Sequence, residues 1–389
     1  MRILVIGTGA VGGVLCKLLA EEGDVEEVIC CDIRENEKFK NKKIKFKKIS
    51  VLDKRFLKFL KEVKPDVVVN ASLPKFNLNI MQACLKAKVN YLDTASYWDL
   101  DPNPRAKVPY KIEQMDYDKA FVKNNLIGLI ESGVAPGLDN LIVAECASKL
   151  DEVDYIKIRM VEDTGSKKIF FSWNKDWLLD ELNWKPIIYK NGKFKLVENF
   201  GAEEEYEFPA PIGKRKTYYF AQDEVGSIPL YIKTKELDVK ICDNNIEVLK
   251  LLVALGLTSE DNISVNGMKV KPISVLSKLL PDSVPGEEKK FPNAVFAISI
   301  EAIGKSKGKK KVVKYSTVFP TQKEIGKLGL GANFISYPTA LSVKFFVMAI
   351  PKMIKRGVFP PEALDENVRQ EIIKELKKYC KFSMQIKNG

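Results

Sequence analysis

Histidine is absent from the 389 residues. Without imidazole the chain lacks the usual side chain that titrates near neutral pH, and most zinc and haem ligand sets are closed to it. Cysteine is sparse and dispersed: Cys16, Cys30, Cys31, Cys84, Cys146, Cys242 and Cys380 make an odd set with no C-x-x-C pair. Such a set suits free thiols in a reducing compartment and offers no metal site. No apolar run reaches the roughly 18 residues a bilayer span requires, so no membrane partner is expected. The apolar start of the chain breaks at a glycine turn where an export signal would continue, and a cytoplasmic location is expected.

The chain is long enough for two domains, each with its own core. Its net charge is +12, with lysine clusters at residues 38–48 and 305–314. The first falls between expected strands and the second in a Gly-containing turn between alternating runs 294–303 and 312–319. Neither interleaves arginine with aromatic residues, so both read as solvated surface and no nucleic-acid partner is expected.

Short β-branched runs at residues 3–6, 28–31, 44–51, 66–71, 91–94 and 126–131 alternate with helical patterns at 11–22, 54–63, 77–88 and 112–124. Runs apolar on both faces, separated by helices, predict a parallel sheet covered on each side. A further helix is expected after Pro136-Gly137, with Asp139 near its start. From residue 154 alternating segments predict a mostly antiparallel sheet with a few helices. A helix over 342–355 and a charged amphipathic helix at the C-terminus close the chain.

Chemistry concentrates first in Gly7-Thr8-Gly9-Ala10-Val11-Gly12, a G-x-G-x-x-G between a strand and a helix. Gly7 permits the turn, Gly9 admits a pyrophosphate close to the backbone, and Gly12 allows strand and helix to pack. The first-turn N–H groups of the helix, Ala10 and Val11 among them, then face the anion. Asp32 ends the next strand, where a carboxylate accepts from ribose hydroxyls and repels a 2′-phosphate, favouring NAD. Ile33 and Arg34 follow, and the Arg34 guanidinium keeps NADP open. Asp53 either caps a helix or approaches the adenine. Ala71, Ser72 and Leu73, within Asn70-Ala71-Ser72-Leu73-Pro74, lie at a strand end where small residues let the dinucleotide pass. Asp93-Thr94-Ala95-Ser96-Tyr97 brings a carboxylate, hydroxyls and a phenol to the same edge.

These segments resemble the saccharopine dehydrogenase-like family, which includes saccharopine reductase, carboxynorspermidine synthase and lysine 6-dehydrogenase. The resemblance extends to Glu131-Ser132-Gly133-Val134-Ala135-Pro136-Gly137-Leu138-Asp139-Asn140, to Phe171-Ser172-Trp173 with Tyr189-Lys190-Asn191-Gly192-Lys193, and to Arg356-Gly357-Val358-Phe359-Pro360-Pro361-Glu362. It implies an α/β fold: a Rossmann domain over 1–137, an inserted α+β substrate and dimerisation domain over 138–335, and C-terminal helices over 336–389 that return to the first domain. It further implies a homodimer paired through a sheet, and NAD(P)-dependent hydride transfer at a C–N bond of an amino-acid, opine-like or polyamine-like amine. Carboxynorspermidine synthase-like and lysine 6-dehydrogenase-like activities are the alternatives within the class, and a nucleotide-binding scaffold without turnover is the alternative outside it.

Asp93, Tyr97, Glu131 and Asp139 are the expected groups for the ammonium side and for proton handling. Ser96, Tyr97, Pro136, Gly137, Trp173 and Arg215 are expected at the substrate, with Arg159 and Lys214 as other cations for its carboxylate. Trp173-Asn174-Lys175-Asp176 departs from the serine–proline turn and arginine of the saccharopine reductases, which leaves the substrate open. The stretch 102–110, with Arg105 and Lys107, reads as an extra loop near the site.

Overall fold

The computed structural model describes residues 1–34, 39–96, 98–100, 110–166, 171, 175–280 and 286–388. Two compact units account for them: Met1–Lys149, Gly226–Lys233 and Ser336–Tyr379 form unit 1, and Leu150–Val225, Thr234–Ile335 and Cys380–Gly389 form unit 2.

Unit 1 is built on seven parallel strands: β1 (Arg2–Ile6), β2 (Glu27–Asp32), β3 (Ile44–Lys48), β4 (Val67–Asn70), β5 (Asn90–Asp93), β8 (Ile127–Leu129) and β19 (Gly357–Phe359). Their spatial order is β19-β8-β5-β4-β1-β2-β3. All but the first residue of β1 are buried, and Val67 to Asn70 of β4 are buried throughout, as strands covered on both faces must be. Helices α1 (Ala10–Ala20), α2 (Phe56–Val63), α3 (Asn77–Ala87), α4 (Asp118–Lys123) and α5 (Leu138–Ala147) follow strands or strand-end turns. Because the order reverses between β1 and β4, the segments leaving those two strands diverge and open a crevice at the carboxyl edge. The short pair β6 (Trp98–Leu100) and β7 (Tyr110–Ile112) lies outside this sheet.

Unit 1 also takes most of α7 (Glu224–Tyr231) and receives α11 (Ser336–Ala349) and α12 (Glu366–Leu376). β19 pairs with β8 in parallel register, Val358 opposite Gly128, so the C-terminal part of the chain completes the first sheet. Its register is pinned by the Asp118 carboxylate, which accepts from the Val358 N–H at 2.9 Å.

Unit 2 carries a nine-stranded sheet. Its strands are β9 (Glu152–Asp163), β10 (Ile187–Lys190), β11 (Lys193–Leu196), β12 (Glu204–Phe208), β13 (Gly213–Tyr219), β14 (Thr234–Asp243), β17 (Val295–Ser306), β18 (Lys309–Val318) and β20 (Lys381–Asn388). The main path is β11-β10-β14-β9-β17-β18-β20, and every pair is antiparallel except β9 with β14. Along β9, Ile156, Ile158 and Met160 are buried on one face. Helices α6 (Lys175–Asn183), α8 (Ile246–Ala254) and α9 (Pro272–Leu279) contribute Leu179, Leu182, Leu249 and Leu276 to a cluster with Phe171, Phe220 and Ile241. Between α8 and α9 runs a hairpin, β15 (Ile263–Val265) and β16 (Met268–Val270), and the short α10 (Gln322–Gly326) follows β18. A capping box starts α10: the Thr321 hydroxyl accepts from the Glu324 N–H, and the Glu324 carboxylate accepts from the Thr321 N–H at 2.8 Å.

The opposite face of β9 is charged. Arg159, with no exposed surface, donates to Asp238 at 2.7 Å and to Glu204 at 2.8 Å. Lys240 reaches the same Glu204 oxygen at 2.8 Å and Tyr155 donates to Asp238 at 2.8 Å. Removing any one of its four charged members would leave an opposite charge uncompensated, so this cluster ties β9, β12 and β14 together.

Several expectations change. The helix expected over 112–124 is instead the end of β7, a 3₁₀ turn at Glu113–Tyr117, and the short α4. The helix expected over 342–355 begins six residues earlier, with Pro338 in its first turn, and is stopped by Pro351, which cannot supply the N–H an α-helix needs. The strand expected over 44–51 ends at Lys48. The lysine cluster 305–314 is mostly strand: only Lys307-Gly308 turns, and Lys309 onward belongs to β18. The C-terminal helix is followed by β20, in which Phe382, Met384 and Ile386 alternate with polar residues, a period-two pattern that belongs to a strand.

Candidate active site

The glycine loop leaves β1 and reaches α1 in three residues. Gly7 has φ +91°, and a Cβ there would stand 2.9 Å from the Ala71 carbonyl oxygen; on Gly12 it would meet the Gly7 carbonyl oxygen at 2.0 Å. The loop therefore packs main chain against main chain, and Ala71 must be small beside it. Gly9 differs, since a Cβ there would meet nothing within 4 Å. Gly9 and Ala10 are exposed, Val11 is half-buried, and among the described residues no side chain caps the α1 N-terminus. An open crest beside uncapped N–H groups and the positive end of a helix dipole fits a pyrophosphate.

Asp32 holds this loop from the side. One carboxylate oxygen accepts from the Thr8 N–H at 2.8 Å and its hydroxyl at 3.2 Å, and the other accepts from the Arg34 N–H at 3.1 Å. Ile33 is 59% exposed and Arg34 is exposed beside it. Asp53 lies after β3, where its carboxylate takes the Arg55 guanidinium at 2.6 Å and the Arg55 N–H at 2.8 Å. Those bonds hold the Asp53 carboxyl down to about 2. They orient the first turn of α2, although the N-cap residue itself is Arg55.

At the ends of β4 and β5 an amide network sets the loops. Asn70 donates to Asn77 at 2.7 Å and accepts from the Ser72 hydroxyl at 2.6 Å, Tyr91 donates to Asn77 at 2.9 Å, and Asn77 donates to the Ala95 carbonyl at 2.9 Å. Ala71, Ser72, Leu73 and Thr94 are half-buried along this edge.

Behind it lies a buried carboxylate pair. Asp93 accepts the Glu131 N–H at 2.8 Å; Gln114 donates to the other Asp93 oxygen at 3.2 Å and to the Ser96 hydroxyl at 3.1 Å; Ser96 donates to Glu131 at 2.8 Å. Asp93, Ser96, Gln114 and Glu131 are each no more than 1% exposed. Burial raises the Asp93 carboxyl to about 7, against the opposing pull of the Glu131 N–H, Gln114 and Tyr91. In a chain without histidine this gives a group that changes charge near neutral pH.

A second buried set begins at α5. Asp139 accepts from the N–H groups of Gly137 at 2.9 Å and Asn140 at 2.8 Å, and the Asn140 side-chain oxygen accepts from Gly137 at 3.0 Å. The Asn140 amide donates to Glu362 at 3.0 Å and to Ser227 at 3.3 Å. Pro136 and Gly137 are buried in the turn that leads in. Glu362, from the segment after β19, is raised to about 7 by burial, with Ser227 and Asn140 opposing and Asp139 adding to the rise.

In unit 2, Arg215 on β13 donates to Asp163 at 2.6 Å and is 38% exposed. Lys214 pairs with Glu205 at the surface, and Arg159 is consumed by the sheet network. Tyr97, Trp173, Arg105 and Lys107 lie outside the described residues.

Gln114, Asn77, Asn140 and Glu362 were not among the expected site residues. Their side chains are uncharged amides or a lone carboxylate, and only the tertiary structure gives them their distant partners. For Asn140 and Glu362 the available signal was their place in the segments that carry the family resemblance, and for Asn77 the strand-end position of Asn70.

Two outcomes follow for this edge. Gly9→Ala should fold and melt as the parent does while binding NAD(P)H at least about tenfold more weakly, because the added methyl meets only ligand. Gly12→Ala should lower the melting temperature. Isothermal titration beside thermal melts checks both, and a Gly9→Ala protein that binds NAD(P)H normally would remove the crest from the phosphate site.

Glu362→Gln tests the buried carboxyl. With its folded value above the 4.5 of an exposed glutamate, the folded state holds a proton that the unfolded state releases, so its contribution falls as pH rises from about 4.5 to 7. Relative to wild type, the glutamine variant should therefore gain stability between pH 5 and pH 8, by on the order of 3 kcal/mol. Urea unfolding at the two pH values reads the difference, and a pH-independent difference contradicts the assignment.

Comparison with known proteins shows the family. The family description "Saccharopine dehydrogenase NADP binding domain" matches residues 3–129, and "Saccharopine dehydrogenase C-terminal domain" matches residues 133–381. Carboxynorspermidine synthase of Vibrio alginolyticus is 30% identical over 94% of this chain and 92% of its own length. Carboxyaminopropylagmatine dehydrogenase of Synechocystis is 24% identical over 94% and 93%. Among solved structures, saccharopine dehydrogenase (L-Glu forming) of Saccharomyces cerevisiae has a TM-score of 0.69 at 15% identity, covering 99% of both chains. Homospermidine synthase of Legionella pneumophila, solved in complex with NAD, has a TM-score of 0.69 at 13% identity over 99% of this chain and 91% of its own. The chain belongs to the saccharopine dehydrogenase family of NAD(P)-dependent oxidoreductases acting on amines.

Proposed function

We propose that this enzyme forms or cleaves a secondary amine of the carboxynorspermidine type, joining a carboxylate-bearing chain to a polyamine-like amine. The observation that carries the reading is the 30% identity to a carboxynorspermidine synthase across 94% of the chain. Bound NAD(P) would supply or accept the hydride at the carbon of the C–N bond.

The chain's own residues then bind and orient. The Gly9 crest and the N–H groups of Ala10 and Val11 hold the pyrophosphate, and Ala71, Ser72, Leu73 and Thr94 border its path. Asp32 receives the adenosine ribose, which favours NAD, while exposed Ile33 and Leu52, at 59% and 61%, offer apolar surface to the adenine. Asp53, held by Arg55, flanks that end.

Asp93, paired with Glu131 through Ser96 and Gln114, keeps a proton available near pH 7 behind the strand edge. Asp139 fixes the Pro136-Gly137 turn, and Tyr97, Trp173 and Arg215 are assigned to the substrate, Arg215 to its carboxylate. Fixing an amine and an imine carbon in one geometry is the main task left to such residues, since the hydride itself comes from elsewhere.

The test follows absorbance at 340 nm with NADH and NADPH separately. Carboxynorspermidine, carboxyaminopropylagmatine and saccharopine are offered in the oxidative direction, and their amine and aldehyde halves in the reductive one. Turnover fastest with carboxynorspermidine or its halves is expected. Turnover with saccharopine alone overturns the polyamine reading, and binding of NAD(P)H without turnover on any pair leaves a scaffold.

Cofactor choice is tested by Asp32→Asn, which keeps an acceptor for Thr8 but removes the charge. The NADH to NADPH ratio of kcat/KM should fall about tenfold. An unchanged ratio excludes the ribose role of Asp32.

A further inference from the structure

The Lys355 ammonium stands over two aromatic rings of unit 1, 5.1 Å from the centroid of Tyr231 and 4.8 Å from that of Phe359. Lys240, Lys250 and Lys344 also lie over rings, but a carboxylate bonds each of them at 2.7 to 2.9 Å. Among the described residues Lys355 has no carboxylate within ion-pair distance. Burial lowers its pKa, and Asp118, Asp365 and Glu362 stand close enough for their charges to oppose that shift. An ammonium resting on ring faces, bonded to none of the carboxylates near it, is replaceable by another. The Lys355 side chain is also free to withdraw, since the residue is exposed.

The walls of this position belong to the buried polar set already described. Phe359 ends β19 with no exposed surface, and its carbonyl accepts from the Ile130 N–H at 3.2 Å, one residue before Glu131. Ser227 and Tyr231 lie one turn apart on α7, hence on one face, and Ser227 accepts from the same Asn140 amide that donates to Glu362. Tyr231 therefore sits beside buried carboxylates: burial first, then the charges of Glu362, Asp118 and Glu131, push its phenol up. Glu362 is 4% exposed, and while Asn140 donates to one of its oxygens, the other, Oε1, has no hydrogen-bond partner among the described residues. A buried carboxylate oxygen without a donor calls for one from outside the chain.

The position also lies at a useful distance from the reaction. β19 runs parallel to β8 and is two strands from β5, so Phe359 ends at the same carboxyl edge as Asp93 but roughly 10 Å to one side. That separation suits the far end of an extended amine, not the atoms that exchange a hydride.

We propose that the rings of Tyr231 and Phe359, with Glu362, Asp118 and Asp365, bind the ammonium at the far end of the substrate's amine half, and that Lys355 occupies this position until the substrate displaces it. The inference rests on the polyamine reading of the reaction. Lys355 thereby lowers the apparent affinity for the amine, because only the fraction of molecules with the position vacant can bind.

Calorimetric titration of the full chain, saturated with NADH or NADPH, tests this without turnover. The probes are 1,3-diaminopropane, 1,4-diaminobutane and 1,5-diaminopentane, with 1-aminobutane as the monoamine. At least one diamine should bind about tenfold more tightly than the monoamine. Lys355→Ala should tighten that diamine at least about fivefold, and Lys355→Arg, which keeps a cation able to stack on the rings, should not. Tyr231→Phe should bind it as wild type does, and Tyr231→Leu about tenfold more weakly. Diamine binding unchanged or weakened in Lys355→Ala, equal binding by Tyr231→Leu and Tyr231→Phe, or no diamine binding to wild type and Lys355→Ala alike overturns the proposal. Should Tyr231→Leu fail to fold, the exposed Lys355 substitutions decide alone. The 340 nm assay separates this site from the reaction: a KM for carboxynorspermidine unmoved by Lys355→Ala removes the site and leaves the reaction, whereas turnover with saccharopine alone removes the polyamine reading itself.

Discussion

The carboxyl edge of the parallel sheet depends on main chain approaching main chain where β1 turns into α1. A methyl group on Gly12 would sit 2.0 Å from the Gly7 carbonyl oxygen, and one on Gly7 would crowd the Ala71 carbonyl at 2.9 Å. Close packing there brings the loop after β1 against the loop after β4, on either side of the point where strand order reverses. Asp32 then fixes the loop through Thr8, and Asn70 with Asn77 fixes the opposite bank. The crest at Gly9 is left uncovered because everything around it is held by its neighbours.

Behind the edge, polar groups are buried at a cost that only satisfied hydrogen bonds offset. Gln114 links Asp93 to Ser96, which donates to Glu131, and Asn140 links the Asp139 turn to Ser227 and Glu362. Burial raises Asp93 and Glu362 to about 7. A protein with no histidine thereby acquires groups that titrate near neutrality, by placing carboxyls where ionisation is expensive rather than by choosing a different side chain.

Unit 2 manages charge differently. Arg159 has no exposed surface and is balanced by Asp238 and Glu204, with Lys240 and Tyr155 completing the set. Arg159 looked like a cation for a ligand carboxylate. On the sheet its neighbours in register include Lys240 on β14 and Ser299 on β17, and its guanidinium is spent within the unit. Arg215, partly exposed and held by one carboxylate, keeps more freedom.

The sequence by itself determined the parallel sheet, the glycine turn and the antiparallel texture of the second unit, because those features are local: continuous apolar runs, a fixed glycine spacing, period-two alternation. It also marked the strand-end segments around Asn70, Asp93 and Glu131. Tertiary structure alone decided the three-residue β19 beside β8, the parallel pairing of β9 with β14, β20 after a helix, and the partners of Gln114, Asn140 and Glu362. Short strands carry too little periodicity to announce themselves. A buried amide or carboxyl acquires its role only from residues far away in the chain, as Asn140 does from Glu362.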